Sequence, residues 1–155
     1  RKGTEPVSLN DAPVMELRVP ALAEYVSVVR LAVLGLCGRL PLSYNEVEDL
    51  RLAVGEACAS SVQRAEKAGR AASRITVTGE LEEGRIVLTI CDDVPIPPEA
   101  GPSGSLDIDP DFDDESFRIS LMQLLVDEVG IGEAAGGGQV VRLVKNCEQG
   151  RDAAG

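Results

Sequence analysis

Apolar positions along the chain alternate in some stretches and recur every three to four residues in others, which predicts a mixture of strands and helices. Residues 14 to 19 alternate and end at Pro20, as is typical of a first strand at a sheet edge. Residues 22 to 40 carry a broad apolar face at helical spacing and predict a first helix, which Pro41 ends.

A second helix is predicted from its two end signals. Ser43 and Glu46 have the spacing of a capping box, and Gly69 follows the last helical position at about residue 68. The predicted buried face of this helix comprises Val47, Leu50, Val54, Ala57, Cys58, Ser61, Val62 and Ala65.

The next two β-rich runs, residues 74 to 81 and 85 to 91, are separated by a short turn and predict an antiparallel hairpin. Residues 93 to 115 are rich in proline and carboxylates and predict a long lid loop. A compact helix is predicted over residues 116 to 129, where Gly130 ends it.

A glycine-rich turn at 133–138 and a closing strand at 139–145 complete the predicted elements. They predict an α+β fold, a two-layer sandwich in which a mixed, mainly antiparallel sheet has its helices on one face. One domain is predicted over 14–146; residues 1–13 are expected to be disordered or added in cloning, and 147–155 to form a polar tail.

Composition narrows the function classes. With 15 basic and 26 acidic residues the net charge is −11, which disfavours direct nucleic-acid binding and fits either simple solubility or steering toward a basic partner. The longest apolar stretch, residues 31–37, is too short to cross a membrane, so we expect a cytoplasmic protein. The four cysteines have no zinc-site spacing and are expected to be buried free thiols.

Glu56 is the residue that most needs an explanation. It lies among Gly55, Ala57 and Cys58 on an otherwise apolar helical face. Because a carboxylate is almost never fully buried without a partner, Glu56 lies either at the lip of a pocket or within a satisfied polar network.

Four segments in a fixed order carry a resemblance. They are Val19-Pro20-Ala21 followed by residues 25–30, residues 48–54, the helix segment 50–65, and residues 125–129. Together they resemble the anti-sigma-factor serine kinases of the stress and sporulation type. These bacterial proteins belong to the ATPase superfamily of gyrase, histidine kinases, heat-shock chaperones and mismatch-repair proteins, so the resemblance implies a histidine-kinase-like ATPase fold.

The resemblance also implies roles for single residues on the second helix and the hairpin. Glu56 matches the general base that acts on the substrate hydroxyl, and Ser60 stands where the family has a magnesium-binding Asn. Asp92 matches the carboxylate that accepts the adenine amino group, while Val94 stands in place of a Gly that lets the base approach the backbone.

Ser116 and Arg118 fall where the family has a Gly-x-Gly turn that cradles phosphate. Because four positions depart from the pattern, the sequence predicts degenerate nucleotide binding, with no cofactor. ATP and magnesium are implied only if the family activity is retained.

The partners that the resemblance implies are an RNA polymerase sigma factor and an anti-anti-sigma protein of the STAS fold. It also implies a homodimer through the first strand and first helix. The positions that match the family's dimer-side segment are Tyr25, Val28, Val29 and Arg30. The exposed charges predicted for partner contacts on the second helix are Glu46, Glu48, Asp49 and Arg51. A solvated helix face is the simpler interpretation of those charges.

Three functions remain open from the sequence. The first is an anti-sigma factor that sequesters its sigma factor by direct binding and is released by the STAS-type partner. The second is an active serine kinase that phosphorylates that partner. A detached histidine-kinase ATPase module is disfavoured because the chain has no histidine to accept phosphate.

Overall fold

The computed structural model describes residues 13–70, 72–96 and 110–147, with side chains in the last range from residue 115 onward. The strands are β1 (Met15–Pro20), β2 (Arg74–Glu82), β3 (Arg85–Asp92), β4 (Glu128–Glu133) and β5 (Gln139–Asn146). The helices are α1 (Val26–Cys37), preceded by a 3-10 turn at Ala23–Tyr25, α2 (Tyr44–Ala68) and α3 (Pro110–Leu125).

The five strands form one sheet in the order β1-β2-β3-β5-β4, and all four pairings are antiparallel. Strands β1 and β4 are therefore its edges. Alternate residues of the central strands point into one core shared with α1 and α2, because successive side chains of a strand point to opposite faces. The predicted α+β two-layer fold is confirmed.

Register places the largest buried side chains side by side on that inner face. Val77 of β2 lies opposite Ile90 of β3, which in turn lies opposite Val141 of β5, and all three are buried. The apolar face predicted for α2 packs on this layer, with Leu50 and Val54 fully buried. This layer fixes the position of α2 over the end of β3.

The start and end of α2 follow the predicted signals. The Ser43 hydroxyl accepts a hydrogen bond from the Glu46 N–H at 3.1 Å, the Glu46 carboxylate accepts one from the Ser43 N–H at 2.8 Å, and Gly69 is left-handed with φ 65°. Glu46 is only 6% exposed. Its predicted role as an exposed partner contact is therefore replaced by a structural one, the capping of α2.

The first helix is shorter than predicted and presents a different face to solvent. It ends at Cys37 rather than at residue 40. Val29, predicted on the partner side, has no exposed surface and belongs to the core. The outward apolar side chains are instead Val28, Leu31 and Leu34.

The C-terminal third departs most from the sequence prediction. Helix α3 begins at Pro110 and ends at Leu125, so 110–115 of the predicted lid is helical, while 97–109 lies outside the described residues. The helix predicted to continue to residue 129 ends at Leu125, and β4 begins at Glu128; this strand was missed because Gly130 and Gly132 weaken its alternating pattern. The predicted glycine-rich turn is confirmed as the β4–β5 turn, with Gly137 at φ 98°. The Lys145 amine donates to the last carbonyl of α3, that of Leu125, at 2.8 Å.

The cysteines are free thiols, as predicted, and Cys91 alone is partly exposed. Burial raises the pKa of Cys37 to about 11 and that of Cys58 to about 12, against weaker opposing effects of nearby arginines. Both thiols therefore stay protonated at neutral pH. Separately, no helix within the described ranges combines the length and apolar character needed to cross a bilayer.

Candidate functional site

Helix α2 brings its polar residues to the end of β3. Glu56, Ser60 and Arg64 recur every four residues and so lie on one side of the helix. Ser61 is next to them, and Asp92 is the last residue of β3. Helix α3 packs against this side of α2. The polar residues form two clusters, one around Asp92 at the end of β3 and one around Arg118 between α2 and α3.

The first cluster is built around Asp92, whose side chain is 1% exposed. Its Oδ2 accepts from the Ser61 hydroxyl and from Nη2 of Arg64, both at 2.5 Å. Its Oδ1 accepts from the backbone N–H groups of Val94 at 3.0 Å and Gln139 at 3.1 Å, and from Nη1 of Arg64 at 3.4 Å. These five contacts use the roughly four lone pairs that a carboxylate offers.

The environment of Asp92 favours its charged form. Burial alone would raise its pKa, but hydrogen bonds from Arg64 and Ser61, the positive charge of Arg64 and the Gln139 N–H together hold the pKa below its ordinary value. Arg64 is in turn fixed by its own acceptors, the carbonyl of Val94 at 3.2 Å and Oε1 of Gln139 at 3.1 Å. The guanidinium thus joins α2, β3 and β5.

Two further residues close tightly around this carboxylate. Val94 is fully buried. Gly138, the last glycine of the β4–β5 turn, lies so close to Asp92 that an added Cβ would stand 1.9 Å from the Asp92 carbonyl oxygen. Only glycine fits there, and it lets β5 start against the end of β3.

The second cluster is built around Arg118 of α3. Its Nη1 donates to Oε1 of Gln63 at 2.7 Å. Its Nε lies 3.5 Å from Oε1 of Glu56, and its Nη1 lies 3.6 Å from Oε1 of Glu115. The Ser60 hydroxyl is 3.1 Å from both oxygens of Glu115. One guanidinium therefore stands between two carboxylates and links α3 to α2.

Glu56 is neither deeply buried nor unpaired. Its side chain is 28% exposed and is paired with Arg118. The exposure agrees with a position at the lip of a pocket, and the ion pair agrees with a satisfied polar network. Ser60, by contrast, is 3% exposed and engaged with Glu115. The structure brings both to the same side of α2, as the spacing predicts.

The nucleotide and magnesium that the resemblance implies do not fit the residues as the structure arranges them. Asp92 has no acceptor position left for an adenine amino group unless Arg64 moves away. The Ser60 hydroxyl already lies 3.1 Å from both oxygens of Glu115, and the positive charge of Arg118 lies beside the carboxylates of Glu56 and Glu115. Ser116 and Arg118 lie within α3 rather than at its start, so their backbone N–H groups do not form a phosphate cradle.

The predicted partner residues do not form one patch. Tyr25 is partly buried, and the Arg30 guanidinium lies against Gly55, where an added Cβ would approach Nη2 to 2.3 Å. Glu48 pairs with Arg51 at 2.8 Å. Asp49 lies 3.7 Å from the Lys145 amine. Of these residues, Glu48 and Asp49 keep part of their carboxylate surface exposed.

Sequence reasoning missed the residues that fill the site. Arg64 was not singled out from the sequence, although its position four residues after Ser60 places it on the same side of the helix. Gln63, Glu115 and Gln139 were missed because these contacts join residues 55 to 75 positions apart in the chain, and no local pattern reveals such contacts.

The fold agrees with comparisons to known proteins. The profile of the family described as "Histidine kinase-like ATPase domain" matches residues 19–145, and the chain belongs to this family. Within it, the similar relatives include "Serine-protein kinase RsbW" of Bacillus licheniformis, 31% identical over 126 residues, which are 77% of this chain and 78% of the relative. The enzyme of the same name from Bacillus subtilis is 29% identical over 133 residues, 82% of either chain. The resemblance found in the sequence is confirmed.

Two solved structures share the fold. A crystal structure of the SiaB–SiaC complex from Pseudomonas aeruginosa matches with a TM-score of 0.62 at 12% identity, over 86% of this chain and 89% of the other. A crystal structure of the RsbU and RsbW domains of a Mycobacterium tuberculosis protein matches with a TM-score of 0.59 at 17% identity, over 87% of this chain and 33% of the other. At these identities the likeness concerns the fold alone.

The Asp92–Arg64 pair predicts an acid-sensitive stability. We expect Asp92→Asn to lower the free energy of unfolding at pH 7 by about 3 kcal/mol, because it leaves a largely buried guanidinium without its counter-ion. Since the pKa of Asp92 is lowered by folding, its contribution is fully present above about pH 4 and is lost as the pH falls through the folded pKa. Urea unfolding between pH 3 and 7 measures both effects.

The matched control is Asp93→Asn. Asp93 is exposed, and the hydrogen bond that it accepts within the described part of the chain comes from the Arg74 N–H at 3.0 Å, so its loss should cost less than about 1 kcal/mol at pH 7. Equal costs for the two variants, or a cost of Asp92→Asn that does not shrink below pH 4, would contradict the assigned role of the pair.

Proposed function

We propose that this protein is an anti-sigma factor of the partner-switching type, which sequesters an RNA polymerase sigma factor by direct binding and is released by a STAS-type anti-anti-sigma protein. Nucleotide binding is degenerate, and the protein acts in the cytoplasm. Family membership supports the class. The proposal that nucleotide binding is degenerate rests on one observation. Arg64 and Ser61 already donate hydrogen bonds to the carboxylate of Asp92.

Charge and surface support binding rather than catalysis. At a net charge of −11, the protein favours a basic partner at moderate ionic strength. Glu48 and Asp49, partly exposed near the start of α2, offer carboxylates to such a partner. The outward face of α1 separately exposes the apolar side chains of Val28, Leu31 and Leu34, a second surface available to a partner.

An active serine kinase is the second candidate, and one observation favours it. Glu56, at the general-base position, keeps 28% of its side chain exposed and could be reached by a substrate hydroxyl. The relatives at about 30% identity are named serine-protein kinases. This candidate requires Arg64 and Arg118 to leave their present partners when a nucleotide enters.

The homodimer belongs to the same proposal, and the edge strand supports it. The Ala21 N–H donates to the Ser73 carbonyl at 2.8 Å. The direction of the backbone hydrogen bonds alternates along a strand, so Val19 and Leu17 also bond to β2. The N–H and C=O groups of Glu16 and Arg18 therefore point outward from the sheet edge. An antiparallel pairing of two β1 strands centred on Leu17 would place Glu16 opposite Arg18 of the second copy, twice.

That geometry predicts the effect of charge reversal on the dimer. Glu16→Arg or Arg18→Glu alone should raise the dimer dissociation constant about tenfold or more, because each places two pairs of like charges opposite one another. The double variant should restore the wild-type value. Sedimentation equilibrium at micromolar concentration measures all four proteins. A monomeric wild type, or a double variant as weak as the singles, would rule out this pairing.

Sigma-factor binding tests the main proposal. Biolayer interferometry with the purified sigma factors of the source bacterium should find at least one that binds without nucleotide, and 1 mM Mg-ATP should change its Kd less than twofold. Glu56→Gln should leave that binding within about 0.5 kcal/mol, the scatter of a substitution outside the interface.

The same preparation separates the two candidates. If the wild type transfers labelled phosphate from ATP to a serine of a STAS-type protein and Glu56→Gln abolishes the transfer, the protein is a kinase and the proposal fails. Binding without phosphotransfer supports the anti-sigma factor.

A further inference from the structure

Helix α3 is attached to the rest of the domain in two different ways along its length. Its later part and the residue that follows it enter the core through Met122 and Val126, which are 2% and 6% exposed. At Phe117 the helix presents its side chain to solvent, with 66% exposed. Near that position the described contacts to α2 are polar, through Glu115 and Arg118.

Electrostatics make Arg118 the critical member of these contacts. It stands between the carboxylates of Glu56 on α2 and Glu115 on α3, with ion-pair distances of 3.5 and 3.6 Å. Without its charge, the carboxylates of Glu56 and Glu115 would lack the cation that the described ion pairs place between them. Like charges at this separation repel, and more strongly where water is partly excluded.

The sequence around α3 strengthens the same argument. Five of the seven residues from 109 to 115 are Asp or Glu. Among the described residues, Arg118 is the cation that the ion pairs place between this end of α3 and α2. The resemblance places Arg118 at a position of the phosphate-cradling turn, so the chain has a positive charge where the family has a glycine.

We propose that Arg118 is a built-in counter-ion that keeps the first half of α3 closed on α2 without any ligand. The inference rests on the proposed function in that it explains why partner binding needs no nucleotide. Arg64 does the corresponding work at the other end of the site, where it supplies the hydrogen-bond donors that Asp92 requires. Together the two arginines hold α2, α3, β3 and β5 in one arrangement.

Hydrogen–deuterium exchange read out on residues 110–121 tests this latch. Arg118→Met keeps an unbranched side chain without charge and should speed exchange of these amides at least tenfold, while exchange of the β2–β3 hairpin stays unchanged. Arg118→Lys should fall between, because an ammonium keeps the charge but loses the forked geometry. The matched control is Arg142→Met, which removes an outward-facing ion pair of 3.7 Å with Glu128 and should leave α3 unaffected.

Each exchange result either supports or overturns the latch. Exchange of α3 in Arg118→Met within twofold of wild type overturns the latch, as does a wild-type α3 whose exchange slows more than threefold on addition of 1 mM Mg-ATP. If Arg118→Met does not fold, the Arg118→Lys measurement decides. Failure of the latch would leave nucleotide-free sigma binding possible, whereas a protein with an intact latch that binds no sigma factor would overturn the proposed function alone.

Discussion

The buried carboxylate of Asp92 is the constraint on which the rest of the site depends. A charged group with 1% of its side chain exposed persists only if every lone pair is satisfied, and here the donors come from α2, from the strand exit after β3 and from the start of β5. Meeting this requirement brings Arg64 inward, fixes Val94 and requires a glycine at 138. The residues at this end of the sheet are therefore arranged around the carboxylate of Asp92.

A second consequence concerns charge. Arg64 and Arg118 each neutralise acidic groups, Asp92 in one case and Glu56 with Glu115 in the other. The same network that satisfies these carboxylates also links α3 to α2.

Much of the fold follows from local signals in the sequence. The capping box of Ser43, the stop at Gly69 and the alternating hairpin strands identify α2, β2 and β3 because they depend on neighbouring residues alone. The start of α3 was not predicted. Strand β4 could not be predicted either, because its pairing with β5 outweighs the effect of its glycines. In the site, the sequence alone shows that Ser60, Val94 and Arg118 depart from the family pattern. It does not show the role of Arg64, because that role depends on a contact with Asp92, 28 residues away.

Isothermal titration calorimetry with ATP and magnesium measures whether a nucleotide can displace Arg64 from Asp92. We expect a wild-type Kd weaker than about 100 μM, a binding free energy of roughly −5.5 kcal/mol or less in magnitude. A Kd in the low micromolar range would contradict it, because ATP would then displace Arg64 from Asp92 at little cost.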